Sequence, residues 1–149
     1  MKRIFSYQPL NTDAAALLLR IIFGGLFVRY GYMKLSSYDA ILPMFQDVIG
    51  IGTKLSFQLV IFAELFCGFF VLIGLLTRLT VLPIFITMAV AFLVAHKNDP
   101  FDMKVLPLVF LLISVVIFIM GSGRYSIDKL LFKSRKFHRL KSTGTSLQV

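Results

Sequence analysis

The sequence predicts an all-α integral membrane protein, a four-transmembrane-helix antiparallel bundle with an interfacial helix in its first loop and a basic amphipathic C-terminal segment. Three observations lead there. Of 149 residues, 58% are hydrophobic and only 15% charged, at a mean hydropathy of +0.86, against ~45–50% and ~25% in soluble domains. Four apolar runs recur, each close to the ~20 residues a helix needs to cross ~30 Å of hydrocarbon. None alternates as a barrel strand does, and lipid demands that backbone polar groups be satisfied within the element, so the runs read as helices. The chain divides into an N-terminus over 1–13, a four-helix membrane domain over 14–131 and a basic tail over 132–149.

The first helix is expected over about 14–34, interrupted by Arg20 and Arg29. Lys2 and Arg3 precede it as in a signal peptide, but Arg20 breaks the run and no small-residue cleavage site follows, so the helix is expected to stay. After Asp39, a candidate N-cap, Tyr38, Ile41, Leu42, Phe45, Val48 and Ile49 recur at helical steps, which predicts a short interfacial helix bent or started by Pro43. The second helix is placed over about 55–76 with one charge, Glu64. A tight turn near Gly74 folds it back onto an uncharged third helix over about 79–95. The fourth, over about 105–120, is uncharged too and ends at Gly121-Ser122-Gly123. Ser126 or Asp128 then caps a basic amphipathic segment. On the side of both termini lie ten Lys and Arg, against four on the other, which places the termini in the cytoplasm.

The net charge of +9 would suit a nucleic-acid binder, but seven of the sixteen cations follow Gly123, beside lipid. The expected partner is therefore the bilayer with its anionic head groups, and no nucleic acid. A single cysteine, Cys67, excludes an internal disulfide and a CxxC pair, and reads as a small packing residue. No metal site is expected, because His96 and His138 fall on opposite sides.

Charges inside the apolar runs carry the functional signal. Arg20, Gly24, Phe27, Gly31 and Lys34 step by three and four residues along one face of the first helix, and the glycines let a neighbour come close. Glu64, Gly68 and Leu75 share a face of the second. A lone carboxylate there costs at least ~2.5 kcal/mol, so Glu64 is paired or protonated. Measured from the cytoplasmic ends of their helices, Glu64 lies roughly 18 Å deep, Arg20 roughly 10 Å and Arg29 roughly 24 Å. Arg29 is the easier partner by the lean of the side chains, Arg20 by the glycine stripe, and both stay open. Glu64 is a candidate proton-handling catalytic group, or half of a pair that only fixes helix register. Arg20, Arg29, Tyr30, Lys34 and His96 are candidate ligand-binding residues, and Gly24, Gly31, Gly68, Arg78 and Asp128 candidate structural ones.

Four motifs resemble the DoxX family of small bacterial membrane proteins. They are Leu19-Arg20-Ile21-Ile22-Phe23-Gly24 with Gly31-Tyr32-Met33-Lys34-Leu35, Glu64-Leu65-Phe66-Cys67-Gly68 leading into Gly74-Leu75-Leu76-Thr77-Arg78-Leu79, His96-Lys97-Asn98-Asp99-Pro100-Phe101, and Gly121-Ser122-Gly123-Arg124-Tyr125-Ser126-Ile127-Asp128. Arg20, Lys34, Glu64, Arg78 and Asp128 match the family's charged positions. Tyr30 stands where the family often has His, and Val105 where an acid commonly opens the fourth helix. The resemblance implies a multi-pass protein of the bacterial inner membrane, linked to an oxidoreductase system of the thiosulfate- or thiol-to-quinone type. Its bundle would bind a small anion or a quinone. The chain carries no flavin, haem or metal motif, so no intrinsic cofactor is expected beyond a bound quinone, and electrons would come through a redox partner subunit. Whether the chain is itself an enzyme stays open, as does assembly with further copies of itself. The alternative is a non-catalytic scaffold whose buried charges only hold the helices.

Overall fold

A computed structural model describes residues 11–131, and all described regular structure is helical. Most of segment 1–13 and all of the tail 132–149 lie outside the described residues. Helix α1 spans Thr12–Ser36, opened by Asn11, whose side chain accepts the Ala14 amide at 3.0 Å. One turn, α2 (Tyr38–Ile41), and a 3-10 turn over Leu42–Met44 follow. Helix α3 (Thr53–Ile73) contains a π-helical stretch over Phe62–Cys67. Helix α4 (Thr77–Ala95) ends in a second one over Ala91–Ala95. Helix α5 spans Phe101–Met120, and residues 127–131 begin a last helical segment. All four long helices are long and apolar enough to cross a bilayer.

Several boundaries differ from the sequence expectation. The interfacial helix stops at Met44 and does not reach Ile49: Phe45 turns extended, at φ −79° and ψ 127°, and Asp47 gathers the next amides into a loop. Helix α3 stops at Ile73, short of Leu76, because Gly74 adopts φ +73° and closes a Schellman end. There the Gly74 amide donates to the Val71 carbonyl at 3.1 Å and the Leu75 amide to Phe70 at 2.9 Å. Helix α5 begins at Phe101, ahead of Val105, since Pro100 presets the backbone of its first turn.

Phe23 and Phe27 of α1, Cys67 and Val71 of α3, Val81 and Ile84 of α4 and Phe110 and Ile117 of α5 form one buried core. Phe27 and Phe110 meet edge-on at 4.9 Å. Around this core the long apolar side chains of all four helices point outward, as a surface facing lipid requires.

The glycines set how α1 and α3 align. A Cβ on Gly24 would lie 2.7 Å from the Leu72 amide nitrogen, one on Gly31 2.5 Å from that of Leu65, and one on Gly68 2.8 Å from the Phe27 Cβ. Residue 24 thus faces 72 and residue 31 faces 65, an antiparallel pair in backbone contact. Level with Ile73, the last residue of α3, is about residue 23 of α1. Roughly eleven residues of α1, ~16 Å, therefore run past that end, and at the other end α3 extends beyond Ser36.

Candidate functional site

That stagger decides what Glu64 meets. Its carboxylate is 4% exposed and lies within the π-helical stretch of α3, where an extra residue in the turn interrupts the regular backbone bonding and often marks a functional position. The Lys34 ammonium, from the last turn of α1, donates to Glu64 Oε2 at 2.5 Å. Neither arginine is the partner. Level helix ends would have put Arg29 or Arg20 at the depth of Glu64, but the glycine contacts slide α1 along α3 until Lys34 arrives there. The C-terminal end of α1 also carries the negative pole of its helix dipole, a favourable place for a cation.

The ion pair lies on the wall of a cavity of about 720 Å³ between α3, α4 and the first loop, within the ~300–1,000 Å³ typical of small-molecule sites. Leu59, Val60, Ile86, Val90 and Val94 give it an aliphatic side, and Ser56, Thr87, His96 and Asp99 add polar groups to its lining. Both π-helical stretches border it: the first carries Glu64, and the second carries Ala91, Val94 and Ala95. The second also fixes His96, whose amide donates to the Ala91 carbonyl at 3.0 Å, five residues back. His96 Nδ1 lies 2.7 Å from Asp99 Oδ2. With Nδ1 so engaged, Nε2 is the ring nitrogen left for a ligand or water.

Met44, Phe45, Gln46, Val48 and Ile49 roof the cavity. Asp47 organises this roof: its carboxylate accepts Ser56 Oγ at 2.7 Å and the amides of Gly52 at 2.6 Å, Gly50 at 3.1 Å and Ile51 at 3.3 Å. Gly50 and Gly52 take φ of +74° and +98° to present those amides. The Ser56 hydroxyl first, then the amides, hold the Asp47 carboxyl below its ordinary value of 3.8. A depressed native pKa makes the contribution of Asp47 fully present above that ordinary value and lost as pH falls through the native one. Acidification is therefore expected to loosen the roof, and Asp47→Asn to loosen it at neutral pH. Amide NMR shifts of Gly50 and Gly52 followed with pH check this: they move together in the wild type and are already displaced, without titrating, in the variant. Asp47-Val48-Ile49-Gly50-Ile51-Gly52, an aspartate followed by two spaced glycines, was the signal for this turn in the sequence.

The other candidates lie elsewhere. Arg29 is exposed on the outside of the bundle, away from the cavity. Tyr30 stands behind Lys34, its ring centroid 6.0 Å from Nζ, and packs against Phe110 at 6.4 Å. Arg20 is 1% exposed at the opposite end of the bundle, where it donates to the Tyr125 carbonyl beside Gly74. Arg78 reaches the Ile119 carbonyl at 3.4 Å, over the C-terminus of α5. Asp128 caps α4 from 51–52 residues downstream: Oδ1 accepts the Leu76 amide at 2.7 Å and Oδ2 that of Thr77 at 3.4 Å. Its own amide donates to the Gly74 carbonyl at 3.1 Å. Arg20 and Asp128 thus tie the 121–131 segment to the α3–α4 turn, Arg78 ties the start of α4 to the end of α5, and Ser126 caps the last helical segment, accepting the Lys129 amide at 3.3 Å.

Lys34 and His96, read from the sequence as candidate ligand-binding residues, and Glu64, read as a candidate proton-handling group, share one site. No curated protein and no solved structure matches the chain. The family model named DoxX matches residues 15–97, more than half of the chain and a stretch that includes Lys34, Glu64 and His96. With its four apolar helices and the charges they bring together, the chain belongs to the DoxX family.

Proposed function

We propose that this protein is the membrane component of a redox system, that it binds a quinone in the Lys34–Glu64 cavity, and that it lies in a bacterial inner membrane with both termini cytoplasmic. The observation that carries the reading is a buried carboxylate paired with a half-buried ammonium on the wall of an otherwise largely aliphatic 720 Å³ cavity. Such charges are costly in a membrane and are functional candidates by default. The lining fits a quinone: aliphatic side chains for its ring and isoprenoid start, and Lys34 Nζ and His96 Nε2 as hydrogen-bond donors for carbonyl oxygens. A quinone, when bound, accepts electrons together with protons.

The residues of the chain hold and deliver those protons. Glu64 carries a proton at its carboxylate, and Lys34 orients that carboxylate. The lining favours a quinone over a small anion such as thiosulfate, because Arg20 and Arg29 are remote and the charge of Lys34 is already balanced by Glu64, which leaves its other N–H groups for a neutral acceptor. Electrons come from the oxidation of a thiol or thiosulfate on a partner subunit.

Quinone reduction by thiosulfate or a small thiol, followed anaerobically in nanodiscs with and without membrane extract supplying the partner, tests this. Glu64→Gln keeps an acceptor for Lys34, and is expected to lower turnover by about a hundredfold or more with Tm near that of wild type. If the wild type neither turns over nor gains Tm with quinone, and Glu64→Gln melts markedly lower, the pair serves helix packing and the protein is a partner-binding scaffold.

A further inference from the structure

Ionisable groups along the cavity form a graded series. Side-chain exposure rises from 5% at Glu64 to 23% at Lys34, 36% at His96 and 46% at Asp99, and all four line the same space. In the other direction the bundle is closed. Between Glu64 and the α3–α4 turn lie about ten residues, ~15 Å of helix, filled by Phe23, Phe27, Val71, Val81 and Ile84, each at most 1% exposed. These side chains offer no proton carrier, and apolar core of this kind admits no water; the buried Ser114 and Thr80 hydroxyls near it donate to the Leu111 and Leu76 carbonyls. Cys67, one turn along from Glu64, is part of that core.

From this asymmetry we infer that Glu64 exchanges its proton with one side of the membrane only, the side bearing the α4–α5 loop, through the cavity and the His96–Asp99 pair. Helix α1 presents Lys34 and, behind it, Tyr30; the α4 end and the following loop present His96 and Asp99. In the roof, Asp47 is occupied by Ser56 and three amides. Lys104 of α5 is turned away to the Lys97 carbonyl, at 2.7 Å. His96 is therefore the acid–base side chain that lines the cavity and reaches water, and the Asp99 contact orients its ring. His96 and Asp99 are positioned as a proton relay for Glu64, whatever ligand the cavity takes, so the inference stands or falls apart from the quinone reading.

Infrared spectroscopy of the protein in nanodiscs follows the Glu64 carboxyl, assigned by its loss in Glu64→Gln, after transfer into heavy water. His96→Phe is expected to slow its exchange about a hundredfold, as loss of a positioned acid–base group does, with Tm unchanged; Asp99→Asn slows it less. An unchanged rate in His96→Phe would overturn the inference, as would a Glu64 that never takes up a proton over the pH range in which the bundle stays folded. Sidedness has its own readout, which decides the matter if His96→Phe does not fold. Thr87→Cys in a Cys67→Ala background places a thiol on the cavity wall. In proteoliposomes of known orientation it should react with a membrane-impermeant thiol reagent from the side of the α4–α5 loop. Reaction from the side of the α3–α4 turn overturns the inference.

Discussion

Replacing Lys34 by methionine is expected to destabilise the bundle by about 3–5 kcal/mol, the range found when one member of a buried ion pair is removed. The loss exceeds the worth of the pair itself, because the Glu64 carboxylate keeps its desolvation cost and has no cation to offset it. The double variant Lys34→Met/Glu64→Gln removes the orphaned charge along with its partner, and should recover most of the stability. Thermal unfolding of the two variants in nanodiscs checks this. Equal losses in the single and double variants would mean that the stem of Lys34, not its charge, holds α1 to α3.

Gly31→Val is expected to cost about 3 kcal/mol or more, the upper end of the overpacking range. Its Cβ would lie 2.5 Å from the Leu65 amide nitrogen and 2.8 Å from Leu65 Cα. Those are backbone atoms that no rotamer change can move, so the helices must separate. Lys34 lies less than one turn beyond Gly31, and separation there pulls its ammonium from Glu64. The variant should therefore lose ligand binding along with stability. Gly25→Ala is the matched control: a Cβ at that position meets nothing within 4 Å, and its melting temperature should equal or slightly exceed the wild-type value, since Ala is the better helix former. Comparable damage at Gly25 and Gly31 would show that lost backbone flexibility, not close approach, is responsible.

The helices and the glycine stripe were legible in the sequence because both are written in local spacing. Apolar length shows a span, and Gly24, Gly31 and Gly68 at helical steps show which faces meet. The partner of Glu64 was not legible, since it depends on how far one helix slides along the other. That offset comes from contacts between residue 31 and residue 65, which no local pattern encodes. Depths counted from helix ends assumed those ends were level, and this error moved Arg20 and Arg29 into a place that Lys34 occupies. The π-helical stretches also escaped: apart from Glu64, Phe62–Cys67 and Ala91–Ala95 are ordinary apolar residues, and nothing in their spacing marks the widened turn. Asp47 was missed for a different reason. Apolar residues at helical steps around it outweighed the aspartate–glycine turn signal that won in the fold.

Arg20 gives the bundle an order of completion. Its guanidinium is sealed within the protein, yet the carbonyl that receives it belongs to Tyr125, 105 residues downstream. When α1 leaves the ribosome, that acceptor has not been made. Nor have Gly74, against which the guanidinium lies, and Asp128, the carboxylate whose charge acts on it. The nascent first helix must keep Arg20 at the water-facing edge of the membrane until all four spans are inserted and the 121–131 segment has been translated. Only then can the charge be enclosed. Of the four spans, the one made earliest is thus the last to be finished.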